Sequence, residues 1–180
     1  MVDAPPVRLL TISGSLRRGS SNGAIVAAVA QVVPPGVQVS EFGALDTLPP
    51  FNPDLEAVAT PPAVAAFRTA LRESSAVLIS SPEYAHGVPG VLKNALDWVV
   101  GSGEFMGKPV ALVNASAAST FVTAQLRETL TVMMGQVVVA TSLPLTARPS
   151  HAGELLAQDA ARDALRHAVT QLLAQVGAAA

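Results

Sequence analysis

The sequence predicts a doubly wound α/β fold: one five-stranded parallel sheet in the order 2-1-3-4-5, with helices on both faces. Three observations predict it. Short apolar runs alternate with stretches whose apolar residues recur at helical spacing. Most connections are short, so each strand feeds a right-handed crossover into a parallel neighbour. The first run, Val7 to Ile12, is rich in branched residues and suits a strand buried on both faces.

Each element carries its own signal. Ser13-Gly14 ends the first strand, and Asn22 to Val33 reads as a helix stopped by Pro34-Pro35-Gly36. Val37 to Phe42 is a second, more polar strand, suited to a place near an edge. Gly43 to Thr60 holds Pro49, Pro50 and Pro53 and reads as a long loop. Pro61 or Pro62 fits the first turn of the next helix, where a missing N–H costs nothing, and that helix runs to about Glu73. Ala76 to Ser80 is the third strand, Ser81 to Gly87 a loop, and Pro89 opens a helix to about Val100. Pro109 to Val113 is the fourth strand, Thr120 to Met134 a helix, and Gln136 to Leu143 the fifth strand. Pro144 to Gly153 is a loop, and one long helix, Glu154 to Val176, precedes a frayed Gly177–Ala180 tail. The reading has five strands and five helices.

The 180 residues suit one domain, 1–180. Charged residues make up only 13%, against roughly 25% in an ordinary globular domain. A surface so poor in charge suits a subunit contact, and a homodimer or homotetramer is expected. The net charge of −2 and the scattered Lys and Arg exclude a nucleic-acid surface. With no cysteine there is no disulfide, thiolate chemistry or Cys-ligated zinc. No run of about 18 apolar residues exists, so no membrane span is expected. The segment Met1–Pro6 shows no basic region followed by an apolar one. No signal peptide is therefore expected, and the cytoplasm is the default compartment.

Ligands of doubly wound folds bind beyond the carboxyl ends of the strands, where the connections change direction. Here strands 1 and 3 flank that point. The loop after strand 1, Gly14-Ser15-Leu16-Arg17-Arg18-Gly19-Ser20-Ser21-Asn22, has the parts of a phosphate site. Gly14 permits a tight exit, and Ser15, Ser20 and Ser21 supply hydroxyls. Asn22 stands at the helix entry as cap or ligand, and Arg17 or Arg18 supplies a charge-assisted contact. An ordinary helix cap would use the same Ser and Asn, but the position after the first buried strand favours phosphate. Neither GxxxxGK[ST] nor GxGxxG is present. Hydroxyls and one Arg fit a single phosphate better than a pyrophosphate, which favours FMN over FAD or ATP.

The loop after strand 3 opens the most distinctive stretch, Ser81-Pro82-Glu83-Tyr84-Ala85-His86-Gly87-Val88-Pro89-Gly90-Val91-Leu92-Lys93-Asn94-Ala95-Leu96-Asp97-Trp98. Together the two loops resemble the NADPH-dependent FMN reductases, a family of flavodoxin-like quinone, chromate and azo reductases. The resemblance covers about residues 7 to 145. It implies that Ser15, Arg17, Ser20 or Ser21, and Asn22 hold the FMN phosphate. It implies that Pro82, Glu83, Tyr84, Ala85, His86 and Gly87 pack against the isoalloxazine and ribityl. A rigid Pro-containing loop with one aromatic and one glycine suits that role, since a flavin needs a flat apolar contact and backbone donors.

Two positions depart from the family pattern. Ala85 stands where Asn is usual, so an amide contact is lost; His86 either replaces part of it or faces solvent. The loop after strand 4, Asn114-Ala115-Ser116-Ala117-Ala118-Ser119-Thr120, lacks the usual glycines, although Ser116 can still reach the ring. Glu83 reads as orienting its loop rather than as a base, and Trp98 as core or interface. Lys93 and Asp97 form an i,i+4 pair or a subunit contact. Asp159, Arg162, Asp163 and Arg166 form a solvated helix face. The expected activity is hydride transfer from NADPH or NADH to bound FMN and onward to a small-molecule acceptor: a quinone, flavin, azo compound or oxidised metal. The flavin supplies the chemistry, and no side chain is assigned as acid, base or nucleophile. A flavodoxin-type electron carrier and a non-catalytic flavin-binding protein are the alternatives.

Overall fold

The computed structural model describes residues 6–176, so Met1–Pro5 and the tail at Gly177–Ala180 lie outside it. Five strands form one sheet: β1 (Arg8–Ser13), β2 (Gln38–Glu41), β3 (Ala76–Ser80), β4 (Pro109–Asn114) and β5 (Gln136–Ser142). They are all parallel, in the order β2-β1-β3-β4-β5. The helices are α1 (Ser21–Val32), α2 (Pro53–Val58), α3 (Pro62–Glu73), α4 (Gly90–Asp97), α5 (Thr120–Val132), α6 (Ala152–Leu156) and α7 (Asp159–Leu173).

Strand alternation splits the core into two layers, as a two-residue period requires. Leu10, Ile12, Val77, Ile79, Val110 and Leu112 face α3, α4 and α5, packing on Phe67, Leu71, Leu96, Trp98, Leu126 and Leu130. Leu9, Leu78, Ala111 and Val113 face the other way, onto Ile25 and Val29 of α1 and Leu165, Val169 and Leu172 of α7. Central β3 and β4 are buried at every position, whereas edge β2 is not.

Trp98 is core: fully buried, with Nε1 donating to Pro49 O at 2.7 Å. Lys93 pairs with Asp97 within α4. Arg162 bridges Asp159 at 2.7 Å and Asp163 at 3.4 Å on the outer face of α7, and Arg166 also meets Asp163.

Two expectations fail. The stretch Gly43–Thr60 is not a plain loop. It contains a 3₁₀ turn at Leu45–Thr47 and the helix α2. Asn52 caps α2, accepting Asp54 N–H at 2.9 Å, and Pro53 opens it. The three prolines therefore start structure as well as interrupt it. The long last helix is also two helices. Gln158, between α6 and α7, is extended (φ −93°, ψ 97°). Its side chain turns back to bind the loop before α6, which a continuous helix would prevent.

Candidate functional site

Gly14 leaves β1 toward β3, its N–H donating to Ser80 O at 2.8 Å. A Cβ there would stand 2.7 Å from Ser81 Oγ, so the approach of the two loops requires glycine. The chain then winds through hydroxyl-bonded turns: Ser13 Oγ accepts Ser15 N–H at 3.2 Å, and Ser15 Oγ accepts Arg17 N–H at 3.3 Å. Ser20 is the N-cap of α1, accepting Gly23 N–H at 2.9 Å. That leaves the N–H groups of Ser21 and Asn22 open at the positive end of the helix.

Asn22 is not the cap. It is buried, and its Oδ1 accepts Ser80 Oγ at 3.0 Å, tying the start of α1 to the end of β3. Its Nδ2 is left free to donate.

After β3, Tyr84 and Gly87 pair across a two-residue turn through bonds of 3.1 and 2.9 Å. The central residues Ala85 (φ 49°) and His86 (φ 58°) are both left-handed, the pattern of a type I′ turn. This conformation costs alanine about 1 kcal/mol, and asparagine adopts it more easily. The usual Asn at position 85 therefore has a backbone reason beside any flavin contact.

Helix α5 holds this strained turn in place. Glu83 Oε2 accepts Val122 N–H at 3.0 Å, capping a helix whose own Ser119 makes no side-chain cap. Gln125 donates to His86 O at 3.1 Å and accepts Val88 N–H at 3.2 Å. His86 Nδ1 lies 3.3 Å from Glu83 Oε1, and its ring meets Phe121 edge-on with centroids 4.3 Å apart. Glu83 thus ties the loop to the start of α5 and to His86.

The two loops, with those after β4 and β5, line an open cavity of about 430 Å³ beyond the ends of β1, β3 and β4. Ser15, Arg17, Ser20, Ser21 and Asn22 line it from the first loop, Pro82, Glu83 and Tyr84 from the second, and Ser116 from the loop after β4. Arg17, not Arg18, faces it. Ala85, His86 and Gly87 shape the turn but do not line the cavity. Sequence reasoning missed Ser81, Ser119 and above all Arg148, which lines the cavity from the β5–α6 loop. The signal available was position: Arg148 follows the carboxyl end of a strand, where doubly wound sheets bind ligands. A smaller cavity of about 290 Å³ flanks the other side of the first loop, with Glu41 on its wall. Partial burial raises the Glu41 carboxyl above its ordinary value.

The residues fit FMN. Three hydroxyls, two helix amides, the Asn22 amide and two guanidiniums suit a phosphate dianion, and half-exposed Tyr84 offers an aromatic face. Pockets of this size are typical of small-molecule sites.

Fold and site together define a flavodoxin-like protein with a mononucleotide-sized pocket at the β1/β3 switch point. The family model described as NADPH-dependent FMN reductase matches residues 7–148, and the chain belongs to that family. An NAD(P)H-dependent FMN reductase of Pseudomonas aeruginosa is 43% identical over 113 residues, 62% of this chain and 60% of that protein. A quinone reductase of Escherichia coli K12 is 33% identical over 113 residues, 61% of this chain and 60% of its own. The chain thus spans about 60% of the length of these relatives. Among solved structures, the flavoenzyme NAD(P)H:(acceptor) oxidoreductase FerB of Paracoccus denitrificans superposes with a TM-score of 0.69 at 26% identity. That match covers 92% of this chain and 98% of FerB.

Proposed function

We propose that the chain is one FMN-binding domain and an oxidoreductase that uses NADPH or NADH to reduce a small-molecule acceptor such as a quinone, flavin or azo compound. The observation that carries this reading is the single cavity shared by a phosphate-type loop and a Pro-Glu-Tyr turn. When bound, FMN supplies the hydride and electron chemistry. The protein's part is to bind and orient. Ser15, Ser20, Ser21, Asn22 and Arg17 hold the phosphate, and Pro82, Tyr84 and Ser116 flank the ring. Glu83 fixes the turn through Val122 and His86 rather than moving a proton.

The carrier alternative is disfavoured by the small net charge of −2, since docking carriers steer by strong charge. Among the described residues no helix is long and apolar enough to cross a membrane. We expect the protein in the cytoplasm, where reduced nicotinamide nucleotides are on hand. We also expect a homodimer or homotetramer, supported by exposed Val100, Met106, Val132 and Met134. Elution at monomer mass at micromolar concentration would refute the oligomer.

The test of the activity is anaerobic. NADPH or NADH added to FMN-loaded protein should bleach the flavin absorbance, and no bleaching with either would sink the reductase reading.

A further inference from the structure

We propose that Arg148 is a second cationic ligand of the flavin phosphate, supplied from the β5–α6 loop. This rests on the FMN reading above and concerns a residue outside the phosphate loop. Three observations carry it.

The first is charge. An FMN phosphate monoester carries about −1.5 to −2 at neutral pH, so a single guanidinium leaves much of it unbalanced. Arg17 and Arg148 line the same cavity, and neither makes an ion pair among the described residues. The one carboxylate on that wall, Glu83, is engaged by Val122 N–H and His86.

The second is preorganisation. The Arg148 loop is exposed yet held on both sides. Gln158 Oε1 accepts Thr146 N–H at 2.8 Å and Ala147 N–H at 3.3 Å, and its Nε2 donates to Ala147 O at 3.1 Å. Glu154 Oε2 accepts Ser150 N–H at 2.7 Å and Ser150 Oγ at 2.9 Å. These bonds hold the Glu154 carboxyl below its usual value. Pro149 between the two clamps is buried. A loop fixed before the ligand arrives loses less entropy on binding it.

The third is contact between the loops. A Cβ on Gly19 would stand 3.6 Å from Ser150 Cβ, so the phosphate loop and the Arg148 loop pack on each other. The break between α6 and α7 thereby acquires a purpose: it frees Gln158 to anchor Arg148.

The experiment compares FMN with riboflavin, which lacks the phosphate. Fluorescence titration of the chain, stripped of flavin, gives Kd for each ligand in wild type, Arg148→Ala and Arg148→Lys. Arg148→Ala should raise the FMN Kd about 10- to 100-fold and leave the riboflavin Kd within about twofold. Arg148→Lys should recover part of the loss. The FMN affinity of wild type should also rise more steeply than that of Arg148→Ala as pH passes about 6, where the phosphate loses its second proton.

An unchanged FMN Kd, or equal losses for FMN and riboflavin, would overturn the assignment. So would an intact FMN Kd with a raised KM for NADPH but not NADH, which would move Arg148 to the nicotinamide nucleotide. Wild-type protein that binds no FMN would sink the flavin reading itself, and this inference with it.

Discussion

At the end of the cavity proposed for the phosphate the backbone is relaxed and its supports are mostly local: Ser13, Ser15 and Ser20 each bind an amide two or three residues on. At the end proposed for the ring two left-handed residues that are not glycine sit in the tip of a turn, and the groups that hold them belong to α5. One end is encoded where it stands. The other is imposed from a helix that follows a later strand. The difference teaches that a site can share one cavity and still have two sources of order, so the two ends should fail separately.

Joining them is Gly14, so Gly14→Val has the largest expected effect. Its side chain would press on buried Ser81 Oγ and on Leu92, neither of which can swing into solvent. A loss of about 2–3 kcal/mol in urea-denaturation stability should follow, with flavin binding lost at both ends. Stability within about 0.5 kcal/mol of wild type would show that the loops can part.

Glu83→Ala separates the ends. It leaves Val122 N–H without its acceptor and should cost about 1–2 kcal/mol. It should weaken riboflavin and FMN alike, because the damage lies at the ring. Selective loss of FMN would show that the two ends are not ordered separately.

Ala85→Asn relaxes the strain instead. A residue that tolerates positive φ should add about 0.5–1 kcal/mol to stability, read as a higher urea midpoint. No gain would mean that α5 already offsets the cost.

The smallest effect belongs to Glu41, beside the phosphate end. Its folded-state pKa is raised by burial, so ionisation costs the folded state. The penalty is absent below the ordinary carboxylate range, grows as pH rises through the raised value, and is constant above it. Glu41→Gln should therefore raise Tm by about 1 °C at pH 7, with the gain fading toward pH 4; solvent screening keeps it small. A gain that grows on acidification would reverse the sign.

Much of the fold was legible because its signals are local. The strand Ala76–Ser80 has the bounds its sequence predicts, and the helix expected from Pro61 or Pro62 to about Glu73 spans Pro62–Glu73, each being set off by polar residues or proline. The helix at Pro53 was hidden because three prolines in five positions suggest interruption, while the Asn52 cap that starts it is a single side chain. The split of the last helix was hidden because Gln158 is a good helix former. Only its partners at Thr146 and Ala147 reveal why it leaves the helix. The site divides the same way. Ser20 and the phosphate loop announce themselves by spacing, whereas the Glu83–Val122 bond and the place of Arg148 exist only once strands 3, 4 and 5 lie side by side.

The Glu83 cap has one more consequence. The Val122 amide is protected from solvent exchange by a carboxylate of another loop, so it can exchange when that loop swings away even if α5 stays wound. Its hydrogen-exchange rate, set against that of amides deeper in α5, makes it a clock for opening of the ring-end turn. The clock runs in the protein without any ligand, and its slowing on addition of flavin would measure how much the cofactor adds to the hold that helix α5 has on the turn.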